Sequence, residues 1–238
     1  MVWSACYDLR IVVISDIHSN LDALESVIGN LPNHDRLICL GDIVGYGPQP
    51  NEVLERLQGL NPAYVLMGNH DCAAVTGDTS GFSELAGQAV DWTRRHLKQQ
   101  HLEYLSKLQP SRKIVVDGTI VGLFHGSPRD PLSEYIFPGM PDSQAKGLIQ
   151  QAGTSLVLLG HTHMPMFYSF GREMVGNPGS VGQPRDGDPR ASFAILTVSE
   201  GRTNFEIRRV EYPVDSIADK IRRAGLPTFL AERLYMGA

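Results

Sequence analysis

The sequence predicts an α/β protein built on one mixed β-sheet or on two sheets packed face to face. Short apolar runs bounded by Gly, Asp or Asn alternate with segments whose apolar residues recur at helical spacing. In the second half of the chain the strands are less regularly separated by helices, which argues against a single parallel sheet. The 238 residues are 42% hydrophobic and 20% charged, enough for a sizeable core. Because no linker or repeat interrupts the chain, we expect one domain over residues 1–238.

The elements follow in chain order. Strands are predicted at Leu9–Ile14, Arg36–Leu40, Ala63–Met67, Ile120–Phe124, Leu156–Leu159, Met166–Phe170, Glu173–Val175, Ala191–Val198 and Asn204–Val210, the first five of them buried. Helices are predicted after Asn20 as N-cap, at about Asn51–Leu57, in two pieces over Phe82–Leu108, from about Asp142, and after Pro213. The long loops Gly126–Pro141 and Gly176–Arg190 are stiffened by proline, and loops of this length often carry function.

Composition and charge narrow the classes of function. The net charge of −5 argues against a basic nucleic-acid-binding face. Residues 1–8 lack the features of a secretory signal, and no apolar run approaches the length of a membrane span. The cysteines Cys6, Cys39 and Cys72 form no CxxC pair, which suits a reducing compartment. We therefore expect a cytoplasmic protein with no membrane partner.

Polar residues with metal-binding side chains follow five of the predicted strands. The segments are Asp16-Ile17-His18, Gly41-Asp42, Gly68-Asn69-His70-Asp71, His125-Gly126 and Gly160-His161-Thr162-His163. The carboxyl ends of strands in an open α/β sheet form one crevice, so these side chains are expected to converge there. In extended backbone, residues two apart project to the same side, which pairs Asp16 with His18 and His161 with His163.

The converging side chains predict a centre with two divalent metal ions. Seven candidate ligands are too many for one four-coordinate ion and suit two ions that share a carboxylate: Asp16, His18, Asp42, Asn69, His125, His161 and His163. Imidazole, carboxylate and amide ligands without thiolate favour Mn²⁺, with Fe, Zn²⁺ or Ni²⁺ as alternatives, and disfavour a structural zinc site. Each motif alone is a weak signal, because a lone histidine is usually structural and Gly-Asp or Gly-Asn is usually a turn. The ordered set of five carries the prediction.

The ordered set resembles the calcineurin-like metallophosphoesterases, whose pattern reads D-x-H, G-D, G-N-H, a single H and G-H-x-H. Within that superfamily the small bacterial phosphodiesterase-like branch is the most similar, on the segments Ser15–Asn20, Gly41–Pro48, His125–Asp130 and Asn177–Gly182. The protein Ser/Thr phosphatases instead carry an Asp and an Arg where this chain has Gly45 and Tyr46. That Asp supports the histidine acid, so its absence argues against a protein phosphatase.

The resemblance implies both a fold and a division of the ligands. The implied fold is a two-layer β-sandwich of mixed sheets flanked by helices. One metal would be held by Asp16, His18, Asp42 and His163. The other would be held by Asp42, Asn69, His125 and His161, with Asp42 as the bridge.

The predicted activity is hydrolysis of small phosphoesters, nucleotides among them, by a phosphodiesterase or phosphatase. Two cations would activate a bridging hydroxide for in-line attack and neutralise charge in the transition state. His70 is the predicted general acid, and Asp71 either orients it or caps the following helix.

Arg129 and Arg185, in the two long loops, are candidate phosphate ligands. The alternative is that they pair with Asp130 and Asp186 and brace their loops.

Two other functions stay open. A nuclease of the same superfamily is disfavoured by the acidic charge balance and by the lack of a Lys/Arg-rich stripe, so nucleic acid is not the expected partner. A catalytically silent metal-binding interaction module would typically lack a ligand or the G-N-H histidine, and this chain has them all. The oligomeric state, the native metals and the natural substrate do not follow from the sequence.

Overall fold

The chain forms ten strands and eight helices within the residues that the computed structural model describes, 9–199 and 202–238. The strands are β1 (Leu9–Ile14), β2 (Arg36–Cys39), β3 (Tyr64–Val65), β4 (Ser111–Val116), β5 (Thr119–Phe124), β6 (Leu156–Leu158), β7 (Met166–Phe170), β8 (Glu173–Asn177), β9 (Ala191–Ser199) and β10 (Arg202–Val210). The helices are α1 (Leu21–Gly29), α2 (Pro50–Gly59), α3 (Asn69–Thr76), α4 (Glu84–His96), α5 (Gln99–Leu105), α6 (Asp142–Ala152), α7 (Val214–Arg223) and α8 (Phe229–Met236).

Two mixed five-stranded sheets confirm the predicted α/β architecture. Their strand orders are β10-β9-β1-β2-β3 and β4-β5-β6-β8-β7. In the first sheet β1, β2 and β3 run parallel while β9 and β10 pair antiparallel. In the second, β5, β6 and β8 run parallel and the edge strands β4 and β7 are antiparallel. Parallel strands in both sheets therefore send their carboxyl ends toward loops that can hold a shared site.

Alternate residues of the central strands pack on opposite faces. Ile11 and Val13 of β1 lie in a buried apolar cluster with Val121, Leu123 and strands of the second sheet. Val12 and Ile14, one residue out of step, pack instead against a cluster formed with the helices. A third cluster joins α6 to the outer face of the second sheet. The two-layer sandwich flanked by helices is therefore confirmed.

Several elements differ from their predicted bounds. Strand β4 was not predicted, because it is an antiparallel edge strand whose residues Arg112, Lys113 and Val115 are exposed. Helix α3 was also missed, since its sequence NHDCAAVT carries no amphipathic pattern and begins inside a ligand motif. Strand β3 has only two residues, both half-buried, where a longer buried strand was expected.

Four further predictions concern a helix cap, the cysteines, membrane-spanning segments and the number of domains. Asn20 is the N-cap of α1, its side chain accepting a hydrogen bond from the Ala23 amide at 3.0 Å. Cys39 and Cys72 carry free thiols, and Cys6 lies outside the described residues. Among the described helices, none has the length and hydropathy needed to cross a membrane. The single domain over residues 1–238 stays a prediction.

Candidate metal centre

The candidate ligands converge where strands of both sheets end. Asp16 and Asp42 follow β1 and β2 of the first sheet, whereas His125 and His161 follow β5 and β6 of the second. Backbone hydrogen bonds join the strand ends, such as Asp16 N to the Gly41 carbonyl at 3.0 Å and Gly160 N to the His125 carbonyl at 2.9 Å. Strand ends of both sheets therefore line the crevice, which was predicted at the edge of a single sheet.

The backbone of most candidate ligands is left-handed rather than extended. The φ angles are 54° for Asp16, 50° for His18, 51° for Asp42, 67° for His161 and 59° for His163. Such values in non-glycine residues cost on the order of 1–3 kcal/mol each and persist only where the surroundings impose them. The expectation of same-side pairs on extended backbone was wrong. Asp16 and His18 do meet, but His161 and His163 enter different clusters.

The first cluster joins Asp16, His18, Asp42 and His163, whose candidate ligand atoms lie within 4.8 Å of one another. The Nε2 atoms of His18 and His163 are 3.0 Å apart. His18 Nε2 lies 3.5 Å from Asp42 Oδ2, and His163 Nε2 lies 3.5 Å from Asp16 Oδ1. All four residues are buried. This set of two imidazoles and two carboxylates could hold one metal ion.

The second cluster joins Asp42, His125 and His161 within the same 4.8 Å limit. His125 Nε2 lies 3.5 Å from Asp42 Oδ2 and 3.2 Å from Asn69 Oδ1, which adds the amide of Asn69 to the group. Asp42 Oδ2 is thus 3.5 Å from an imidazole nitrogen of each cluster, His18 and His125. The structure brings together all seven predicted ligands, with Asp42 shared between the two clusters.

Hydrogen bonds to backbone carbonyls orient the imidazoles. Three Nδ1 atoms face carbonyl oxygens: His18 that of Val44, His125 that of Leu40 and His163 that of Gln183. A proton on each Nδ1 leaves the Nε2 lone pair free for a ligand. His161 is reversed: its Nε2 lies 3.2 Å from the Ser133 carbonyl, so Nδ1 is its free nitrogen.

The donor set fits a divalent cation. The Nε2 atoms of His18 and His163, both without hydrogens in these tautomers, face each other at 3.0 Å. Asp16 Oδ1 is buried and has no hydrogen-bond partner among the residues that the structure describes. An orphaned carboxylate oxygen and opposed lone pairs are costly without a cation between them. The residues present therefore fit a bound metal.

Burial and local charge set the protonation of the cluster. Burial holds the pKa values of His18 and His163 well below the ordinary value, which keeps both imidazoles neutral. Burial also opposes charge on His125, but the Asp42 carboxylate raises the pKa of His125 to about 9. In return, despite burial, His125 holds the pKa of Asp42 well below its usual range. Burial raises the pKa of Asp16 to about 7.

The backbone of His70 lies beside Asp42, the carboxylate that the two clusters share. Its backbone amide donates to Asp42 Oδ1 at 2.8 Å, and burial lowers its pKa to about 4. Rings of His18, Tyr46 and Phe82 pack against it at centroid distances of 4.8, 4.4 and 4.8 Å. Within residues 9–199 and 202–238 its buried Nδ1 has no partner, and a Cβ at Gly45 would lie only 2.5 Å from that nitrogen. Aromatic packing, and not an acidic residue, therefore orients the ring.

Asp71 braces two loops and does not orient His70. Its Oδ2 accepts from Gly68 N at 3.0 Å, which caps the start of α3. Its Oδ1 accepts from the amides of Ile43 and Val44 at 2.9 and 3.0 Å. The predicted N-cap role was also wrong in detail: the N-cap of α3 is Gly68, and Asp71 lies at the third helical position, from which its carboxylate accepts from the N-cap amide.

The segment Asn177–Gly182 holds the loops that carry the ligands. The Asn177 side chain donates to the Gly160 carbonyl at 2.8 Å, and the Ser180 hydroxyl donates to the Asp16 carbonyl at 2.7 Å. Gly182 N also donates to the Asp16 carbonyl, at 2.9 Å. These bonds tie the loop after β8 to the left-handed residues after β1 and β6.

The two candidate phosphate ligands occupy different surroundings. Arg129 is 59% exposed and pairs with Glu134, not with Asp130. Arg185 lines a cavity of about 220 Å³ together with His70 and Asn69. Asp186 pairs with Arg209 instead. Neither predicted loop-bracing pair forms within the described residues, and of the two arginines Arg185 is the one beside the clusters.

Arg233 and Phe82 line the same cavity and were missed from the sequence. Arg233 lies on α8, far along the chain from every motif, and its approach depends on how that helix docks through Leu230 and Leu234. No local pattern marks such a residue. A second cavity of about 340 Å³ adjoins Asn69, Phe82 and Ser133.

Two buried His/Asp clusters at the joined ends of two mixed sheets define a metallophosphoesterase, a hydrolase of phosphoesters. The chain belongs to the calcineurin-like phosphoesterase superfamily, whose domain model matches residues 9–201.

Individual relatives are similar to this chain over most of its length. An uncharacterized protein of Methanocaldococcus jannaschii is 36% identical over 246 residues, covering 95% of this chain and 98% of its own. The phosphodiesterase YfcE of Escherichia coli K12 is 25% identical over 198 residues, covering 79% and 87% of the two chains. The crystal structure of a metallophosphoesterase from Sphaerobacter thermophilus matches with a TM-score of 0.82 at 35% identity, covering 98% of this chain and 100% of that one.

Proposed function

We propose that the chain is a phosphodiesterase or phosphatase acting on small phosphoesters, nucleotides among them, with two divalent metal ions. The observation that supports two ions most directly is Asp42 Oδ2, which lies 3.5 Å from an imidazole nitrogen of each cluster. A carboxylate in that position suits a bridging ligand.

The proposed ligands divide between the two clusters as their contacts suggest. Asp16, His18 and His163 would hold one ion, Asn69, His125 and His161 the other, and Asp42 both. The donors are nitrogen and oxygen atoms without thiolate, a chemistry that suits Mn²⁺, with Fe, Zn²⁺ or Ni²⁺ as alternatives. The bound ions would supply an activated water and would neutralise charge on the phosphate oxygens.

The chain's own residues have separate tasks in this proposal. His70 donates a proton to the oxygen of the leaving group: burial lowers its pKa to about 4 in the free chain, and an anionic phosphoester beside it would favour the protonated imidazole. Its ring lines the cavity beside Asn69, and no partner among the described residues holds its Nδ1. Arg185, in the same cavity, binds substrate through its guanidinium. Arg129 is exposed and ion-paired with Glu134, so it is the less favoured candidate for binding substrate.

Of the two proposed activities, similarity favours the phosphodiesterase, since the Escherichia coli relative is named a phosphodiesterase. The net charge of −5 argues against the nuclease alternative. The cytoplasmic location expected from the sequence belongs to the same proposal.

Hydrolysis of bis(p-nitrophenyl) phosphate tests the proposal. Chelation should abolish turnover and Mn²⁺ should restore it. His70→Ala should lower kcat by about 10²- to 10⁴-fold while metal content is retained. His34→Ala is the matched control, because His34 is exposed and outside both clusters. If the folded, metal-loaded chain hydrolyses no phosphoester, the binding-module alternative is correct.

A further inference from the structure

The cavity beside His70 carries two arginine side chains. Its lining includes Tyr46, Asn69, His70, Arg185 and Arg233, and it measures about 220 Å³. The loop between β8 and β9 supplies Arg185, and α8 supplies Arg233. Two guanidinium groups from distant parts of the chain therefore share a small space next to the proposed general acid.

Neither arginine is neutralised by a carboxylate side chain among residues 9–199 and 202–238. Arg185 donates from Nη2 to the Tyr46 hydroxyl and to Gln183 Oε1, both at 3.1 Å, and its buried Nε has no partner. Arg233 donates from Nε to the backbone oxygen of Ala238. By contrast, Arg190 and Arg209 nearby form ion pairs with Asp188 and Asp186.

Tyr46 holds the two cations in place. The Cζ atoms of Arg185 and Arg233 lie 5.6 and 5.8 Å from the centre of the Tyr46 ring, within the range of cation–π contact. Tyr46 adopts a left-handed φ of 51°, a strained backbone that the surrounding structure maintains. Burial, and then the charge of Arg185, lower the pKa of Arg233 to about 10.

We propose that Arg185 and Arg233 bind a second anionic group, a phosphate or a carboxylate, which the substrate carries on its leaving group. This inference rests on the proposed function, because the cavity lies on the leaving-group side of the substrate only if His70 protonates the departing oxygen. A planar guanidinium binds phosphate or carboxylate through two parallel hydrogen bonds. The preferred substrates are then phosphoesters with a second negative charge beyond the scissile bond.

Binding by the metal-loaded protein provides the first test. The probes are phenyl phosphate, 4-carboxyphenyl phosphate and 1,4-phenylene bisphosphate, which share one ring and differ in the second group. Calorimetry should show that at least one of the two compounds with a second anionic group binds more tightly than phenyl phosphate. Arg233→Gln should reduce that preference, the ratio of the two Kd values, by about 10- to 100-fold. The compound with the larger loss identifies the group as phosphate or carboxylate.

Two further variants control for charge and folding. Arg233→Lys keeps the charge and should lose less of the preference than Arg233→Gln. Arg222→Gln removes an equal charge from the exposed face of α7, where Arg222 pairs with Asp219, and should leave the preference intact. A preference that is unchanged in Arg233→Gln, or absent from the wild type, overturns the inference.

Turnover of the same three compounds, or of their methyl diesters, separates this inference from the proposed function. If the wild type binds the probe with the second anionic group through Arg233 but hydrolyses none of the compounds, the anion site is supported and the proposed activity is contradicted. Hydrolysis of all three with equal kcat/KM and no effect of Arg233→Gln on their ratio supports the activity and contradicts the anion site.

Discussion

Replacing Gly68 with alanine should displace Asp42 and weaken metal binding at both clusters. A Cβ at Gly68 would lie 2.6 Å from the carboxyl carbon of Asp42, and closer still to its Oδ1 and its backbone nitrogen. The backbone of Gly68, with φ −93° and ψ 173°, is one that alanine adopts without strain. The effect therefore comes from this contact alone.

The size of the effect follows from how far the atoms must move. Ordinary contact begins at 3.4 Å, so the strand end or the carboxylate has to shift by most of an ångström or more. Overpacking of this kind costs about 1–3 kcal/mol of folding free energy. Metal–ligand distances tolerate deviations of only about 0.2 Å, so a carboxylate displaced this far should cost at least about 10- to 100-fold in metal affinity.

Titration of the metal-free protein with Mn²⁺, followed by calorimetry, measures the affinity directly, and thermal unfolding measures the stability. Gly147→Ala is the matched control, because Gly147 lies within α6 with no atom within 4 Å of its added Cβ. That control should keep the wild-type affinity and gain about 0.5–1 kcal/mol. A Gly68→Ala protein with unchanged Mn²⁺ affinity and unchanged Tm would refute the steric reasoning.

Three further predictions concern the ligands and their support. Asp42→Asn should weaken both ions, and elemental analysis that finds two full equivalents would disprove the shared carboxylate. Metal binding at pH 7 should release about one proton or more, because the pKa of His125 is about 9 and that of Asp16 is about 7 in the metal-free chain. Since metal ions compete with these protons, metal affinity should rise with pH up to about 9. Calorimetry in buffers of different ionisation enthalpy counts those protons, and a count of zero contradicts the assigned protonation. Asn177→Ala should lower the free energy of unfolding by about 1–3 kcal/mol, because it removes the buried hydrogen bonds of this side chain to the Gly160 carbonyl, the Thr162 hydroxyl and the Gly179 amide. Denaturant unfolding checks this value.

Much of the fold could be predicted from local patterns. Periodicity and capping chemistry identified α1, because Asn20 accepts from the Ala23 amide and the apolar residues that follow share one face. Strand β4 and helix α3 could not be found in this way. The first is an edge strand with exposed residues, and the second begins with ligand residues in place of an amphipathic stripe.

The convergence of the candidate ligands was predictable from the sequence, but their geometry was not. Order and residue type pointed to seven candidate ligands, and the family resemblance divided them into two groups as the structure does. The spacing argument failed for His161 and His163, because left-handed backbone turns neighbouring residues toward different clusters. Arg233 could not be foreseen, since only the docking of α8 brings it to the cavity.

The most direct measurement is a stepwise Mn²⁺ titration of the chelator-stripped protein, with bound metal and diester hydrolysis determined at each step. Two ions per chain are predicted, with hydrolysis appearing as the second ion binds and with both sites lost in Asp42→Asn. Saturation at one ion, or a folded chain that holds two ions and hydrolyses no phosphoester, would contradict a dinuclear catalytic centre.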